Sequence, residues 1–105
     1  MKPVLIIPAL GLLLATSQAF ANDDPDEFYK TKNCLACHRI DRVTLGPSFK
    51  SMAARYVDDK GADLMLAKKI REGGVGVWGQ IPMPAQPQVN ETEALTLARW
   101  ILALK

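Results

Sequence analysis

The 105-residue chain has little of what binds metals or cross-links a fold: one histidine, His38, and two cysteines, Cys34 and Cys37. Cysteines so close together cannot staple distant parts of the chain, and a disulfide closing so short a loop would contribute little. One histidine and two cysteines also fall short of the four ligands of a structural zinc site. Charge of one sign does not dominate, with 13 Lys and Arg against 11 Asp and Glu. Such a balance gives no argument for nucleic-acid binding or for adsorption to a membrane surface. There is no repeat, no low-complexity segment and no sustained alternation of apolar and polar residues, so no strand is signalled. The one apolar run, Val4 to Ala15, is shorter than the roughly 20 residues that a membrane span needs.

That run has a different meaning. Lys2 precedes it, and Ala19-Phe20-Ala21 follows with small residues at the spacing of a signal-peptidase site. This is the layout of a secretory signal peptide over residues 1–21. No cysteine follows directly, so a lipid anchor finds no support. The expected mature chain is a single domain over residues 22–105, secreted to an oxidising compartment such as the bacterial periplasm. Without Lys2 its charges nearly cancel. A domain of this size is close to the limit at which an apolar core suffices alone, and such domains often depend on a metal, a disulfide or a cofactor.

The mature chain reads as short helices joined by Gly- and Pro-rich loops. Asp24-Pro25-Asp26-Glu27 combines a capping residue, a proline suited to the first helical position and acids that favour the positive end of the dipole. That helix is expected to run to about Lys32. A second follows Pro47, through Phe49, Met52 and Ala53 to Tyr56. A third covers about Ala62 to Arg71 and stops at Gly73-Gly74. Residues 73–90 are rich in glycine and proline and predict a loop with little regular structure. The last helix starts at Asn90, with Glu93 placed for a capping box. Leu95, Leu97, Ala98, Trp100, Ile101, Leu102 and Leu104 give it a broad apolar face. Phe28 and Tyr29 of the first helix are natural partners for Trp100 of the last.

Cys34-Leu35-Ala36-Cys37-His38 carries the chemistry. The pattern C-x-x-C-H is the attachment site of c-type haem. Two thiols at this spacing can add to the two vinyl groups of one porphyrin, and the adjacent histidine is then held under the iron. A thioredoxin-like dithiol would need a strand–helix setting that the sequence does not show. With a single histidine, a bis-histidine haem is excluded within one chain. Methionine is the usual alternative and raises the reduction potential. Met52 and Met65 fall in apolar helical patterns, where methionine usually fills core space. Met83 sits in Ile81-Pro82-Met83-Pro84, where two prolines stiffen the backbone and remove amide donors. A stiff loop can present a soft thioether to iron, so Met83 is the expected second ligand.

With these residues in hand, the mature chain resembles the small class I cytochromes c of bacteria, of the cytochrome c-551 type. The resemblance rests on the C-x-x-C-H segment, Gly46-Pro47, Gly76-Val77-Trp78-Gly79, Ile81-Pro82-Met83-Pro84 and Ala98-Arg99-Trp100. The position of the haem motif argues against the four-helix-bundle haem proteins, which carry it near the C-terminus. The resemblance implies an all-α class I cytochrome c fold. In it, four to five short helices wrap one covalently bound haem c, and the N- and C-terminal helices pack together. It implies that the Pro47 carbonyl bonds the far ring nitrogen of His38 and fixes its tautomer. Trp78 and Lys69 match positions that approach a haem propionate, and Gln86 lies about where an amide approaches the methionine sulfur. Asn33 replaces the usual glycine before the first cysteine, a change that asparagine's tolerance of left-handed backbone makes mild.

A haem iron bound by both His38 and Met83 has no free position, so the expected function is single-electron transfer through an exposed haem edge and not catalysis. Val75, Val77, Ile81, Pro82 and Pro84 would form an apolar rim to that edge, with Lys30, Lys32, Arg39 and Arg42 around it. Such a rim suits small, transient docking. The resemblance implies a monomer that takes electrons from a quinol-oxidising complex or another cytochrome and gives them to a terminal reductase, peroxidase or oxidase. Two competing readings exist. An open-site haem enzyme or gas sensor would need Met83 off the iron, and a thiol–disulfide protein would use Cys34 and Cys37 without haem.

Overall fold

The computed structural model describes residues 1–5, 11 and 24–105. The expected cleavage point at Ala19-Phe20-Ala21 lies outside the described residues. Among these described residues four α-helices follow one another: α1 Pro25–Thr31, α2 Phe49–Arg55, α3 Ala62–Glu72 and α4 Glu91–Leu102. One 3-10 turn, Cys34–Ala36, sits between α1 and α2. Among the described residues the only β-like pairing is an isolated antiparallel bridge between Gly74 and Met83. The all-α expectation holds, with four α-helices and the single 3-10 turn as its short elements.

Local chemistry explains the helix ends. Asp24 accepts a bond from the Asp26 amide, and Pro25 opens α1. Ser48 caps α2 by accepting from the Ser51 amide at 3.1 Å. Gly61 at φ 90° starts α3, and Gly73 at φ 74° ends it; left-handed backbone favours glycine at both places. Asn90 and Glu93 close a reciprocal capping box on α4, with bonds of 2.9 and 3.0 Å.

Helix α4 is the hub. It packs against α1, α2 and α3. It buries Ala94, Leu97, Ala98 and Ile101, while Leu95, Trp100, Leu102 and Leu104 are only half-buried. The expected contact between first and last helices is present: Tyr29 and Trp100 have ring centroids 5.8 Å apart. Phe49 completes this cluster edge-on, 5.2 Å from Tyr29 and 5.9 Å from Trp100. Offset and edge-to-face pairs of this kind stabilise by about 0.5–1.5 kcal/mol beyond their buried area. The cluster brings the start of α2 up to α1 and α4, and so places the segment between α1 and α2 over the core.

Candidate functional site

The 3-10 turn turns the chain sharply at the C-x-x-C-H segment. Asn33, at φ 70° and ψ 10°, enters it in the left-handed region. The amides of Cys37 and His38 both bond the Cys34 carbonyl, at 3.2 and 3.0 Å, so the two thiols and the imidazole are carried by one compact coil. Arg39 folds back over it, its Nη1 donating to the carbonyls of Leu35 and His38. The Tyr29 hydroxyl also donates to the His38 carbonyl, at 3.1 Å.

His38 is buried and fixed on several sides. Its Nδ1 lies 2.8 Å from the Pro47 carbonyl oxygen. A carbonyl only accepts, so Nδ1 carries the proton, and Nε2 keeps a lone pair for a metal. The ring stacks on Phe49, with centroids 5.2 Å apart and planes 27° from parallel. A Cβ on Gly46 would fall 2.5 Å from His38 Cε1, so only glycine admits the ring at this distance.

Met83 is held by backbone. Its amide donates to the Gly74 carbonyl at 2.8 Å, and its carbonyl accepts from the Gly74 amide at 3.0 Å. This bridge ties the Ile81-Pro82-Met83-Pro84 loop to the end of α3. The approach is so close that a Cβ on Gly73 would lie 2.4 Å from the Met83 carbonyl oxygen.

These segments enclose a cavity of about 390 Å³, a size usual for cofactor pockets, which run from about 300 to 1,000 Å³. Cys34, Cys37, His38, Pro47, Lys69, Trp78, Met83 and Gln86 all line it. So do Met52 and Met65, which the sequence assigns to core filling, and Leu97 and Ile101 from α4. Trp78 is exposed, with the Arg55 guanidinium 4.5 Å above its ring and Tyr56 edge-on at 6.4 Å. Arg55 Nη1 also donates to the Val77 carbonyl at 2.9 Å. Lys69 is exposed, and its Nζ lies against Gly74. The Gln86 amide donates to the Pro84 carbonyl at 3.0 Å and accepts from Gln88 at 2.6 Å.

The donor set fits haem: two thiols at attachment spacing, an imidazole nitrogen with its tautomer set, a thioether on a tethered loop, and an otherwise mostly apolar lining. It fits a reactive dithiol poorly. Burial pushes the Cys34 thiol up, whereas exchange-active cysteines need a lowered value. Several residues shape the site in ways that the sequence does not single out. Gly46 and Gly73 act through a missing side chain, and Phe49 reads only as an apolar helix residue. Tyr29 offered a usable signal, since a buried tyrosine seeks a polar partner for its hydroxyl.

Short helices around an apolar cavity, with a Cys-x-x-Cys-His coil and a methionine loop in its lining, define a class of small covalent haem proteins. The profile of the cytochrome c family matches residues 25–105. The chain is 41% identical over 105 residues to cytochrome c-551 of Pseudomonas aeruginosa, covering all of both chains. It is 54% identical over 80 residues to cytochrome c-551 of Azotobacter vinelandii, covering 76% of this chain and 96% of that one. The crystal structure of wild-type Nitrosomonas europaea cytochrome c552 superposes with a TM-score of 0.75 at 46% identity, over 76% of this chain and 99% of that one. The chain therefore belongs to the cytochrome c family. It is an electron-transfer protein with covalently attached haem c and its iron, and Cys34 and Cys37 are its only cysteines.

Proposed function

We propose that this chain is a periplasmic carrier of single electrons, with Cys34 and Cys37 joined to the haem and His38 Nε2 and Met83 Sδ bound to its iron. One observation supports the reading above others: the lining of a single apolar cavity includes both thiols, the Pro47-fixed imidazole and the bridge-tethered methionine. The haem supplies a one-electron ferric–ferrous couple when bound. The chain's own residues do the rest. Pro47 holds the imidazole proton at Nδ1 and so keeps Nε2 basic. The stiff Met83 loop holds a second ligand in place, which leaves no position for oxygen, peroxide or nitrite, so the protein is a carrier and not an enzyme.

Trp78 and Lys69 would meet the haem propionates, and Gln86 would steady the methionine from its side of the cavity. Residues 1–21 are a secretory leader, and residues 22–105 are the working monomeric domain. Among the described residues no helix is long and apolar enough to cross a membrane. Leu45, Val75, Val77 and Ile81 are exposed apolar residues in the lining. They give a rim for brief docking with a quinol-oxidising complex or another cytochrome as donor, and with a reductase, peroxidase or oxidase as acceptor.

Optical spectra of the purified protein test this, oxidised and reduced, with and without carbon monoxide, beside Met83→Ala. The wild type should show the ferric methionine–iron band and ignore carbon monoxide, and Met83→Ala should lose the band and bind carbon monoxide. A wild type that binds carbon monoxide readily would overturn the closed site and point to catalysis or gas sensing.

A further inference from the structure

We propose that Gln88 is a positioning residue that latches the loop bearing Met83 to the segment bearing Cys34, and thereby resists displacement of the methionine from the iron. The inference rests on the His38 and Met83 assignment above. Gln88 Nε2 donates to the Lys32 carbonyl at 2.9 Å and to Gln86 Oε1 at 2.6 Å. Lys32 Nζ returns a bond to the Gln88 carbonyl at 3.5 Å and pairs with Glu93 Oε2 at 3.2 Å. Gln86 Nε2 donates in turn to the carbonyl of Pro84, the residue after Met83. At the other end, Lys32 stands two residues before Cys34 in the chain. A run of hydrogen bonds thus leads from Lys32 through Gln88 and Gln86 to Pro84, joining positions far apart in sequence.

Val89 anchors the end of this stretch in the core, and its amide bonds the Gln86 carbonyl at 3.1 Å, but the part before it has few amide donors. Pro84 and Pro87 have no amide hydrogen to donate. The Gly74 bridge fixes the loop at Met83 itself, and the Gln86 amide bonds the Ile70 carbonyl at 3.1 Å. Both of these ties lead to α3. Gln88 alone, among the bonds described, ties the loop to the chain that leads into Cys34. Its two donor bonds go to oxygens, so a carboxylate of the same shape could not replace it.

The test compares holoprotein wild type, Gln88→Ala and Gln88→Glu with Arg99→Ala as a control. The control breaks the 3.1 Å Arg99–Asp63 pair, which lies off this path. Imidazole is titrated into the ferric form, and global unfolding in denaturant is followed by circular dichroism. Both Gln88 variants should bind imidazole about three- to tenfold more tightly than wild type, as expected for loss of one or two net hydrogen bonds. Arg99→Ala should not. Unchanged imidazole affinity in the Gln88 variants, or an equal rise in the control, overturns the latch. A wild type lacking the methionine–iron band overturns the ligand assignment itself, and the latch falls with it.

Discussion

Behind His38 and behind Met83 stands a glycine whose missing Cβ sets how closely the chain approaches. At Gly46 a Cβ would meet the imidazole carbons and nitrogens at 2.5–3.2 Å; at Gly73 it would meet the backbone of Met83, Pro84 and Ala85 at 2.4–2.9 Å. Gly61 shares the positive φ of Gly73 but has nothing within 4 Å. The three sites therefore separate strain from collision. Gly61→Ala should cost only the left-handed penalty of about 1–2 kcal/mol and leave the spectrum unchanged. Gly73→Ala should cost about 1–3 kcal/mol more, because its ψ of −172° suits glycine almost alone and because the methionine loop must move, and should weaken the methionine–iron band. Denaturant melts read beside the band would check this, and equal behaviour of the two variants would refute it. That Cys34, Cys37, His38 and Met83 line one cavity was legible, because the chemistry proposed for them needs particular atoms at a particular spacing. Gly46 and Gly73 can be read from sequence only as part of the Gly46-Pro47 segment and as a helix stop; their close approach to His38 and Met83 turns on an atom that is missing, which no local pattern shows.

The helices were legible for a local reason. Caps at Asp24 and Asn90, the proline at position 25 and the stop at Gly73 act within one turn of themselves, and the structure ends each helix within about a residue of them. The 3-10 turn and the Gly74–Met83 bridge were not, since each depends on what packs across from it. One element end carries a pH dependence. Glu93 accepts from the Asn90 amide and pairs with Lys32, and these two contacts, the amide bond first, hold its carboxyl below the ordinary value. A lowered folded value means that the stabilisation is present above the unfolded value of about 4.3 and is lost as pH falls through the folded one. Glu93→Gln should thus be less stable than wild type at neutral pH. The two stability curves should converge only as pH falls through and below that lowered folded value, where Glu93 is protonated and resembles glutamine. Melting temperatures from neutral to acid pH would show this, and curves that stay parallel would exclude it. Asp63, lowered chiefly by its bond from Arg99, is common to both proteins and drops out of the difference.

At the scale of the whole molecule, the core and the cavity share walls. Phe49, Met52, Ile70, Leu97 and Ile101 belong to the main apolar cluster and also line the cavity. The outer rim is a separate matter, since Ile81 there is exposed. Ile81→Glu should leave the spectrum and reduction by a small inorganic reductant unchanged while slowing electron exchange with a protein partner about tenfold, the effect of about 1.4 kcal/mol at the docked state. Unaltered protein–protein rates would remove the rim from the interface. The inner wall decides folding. Each of its five side chains gives about 1.5–3 kcal/mol when fully buried, while a whole domain of this kind is stable by only about 5–15 kcal/mol. With no haem in place these side chains line a cavity of about 390 Å³ instead of packing on a partner, and the contacts forgone across it cost an amount comparable with the total. The helix boundaries could be read from sequence without the cofactor, but their assembly is not expected to survive without it. A Cys34→Ala, Cys37→Ala double variant should accordingly show weak helical circular dichroism and no cooperative melt; a sharp, native-like transition would mean that α1, α2 and α4 hold together through the Tyr29–Phe49–Trp100 cluster alone.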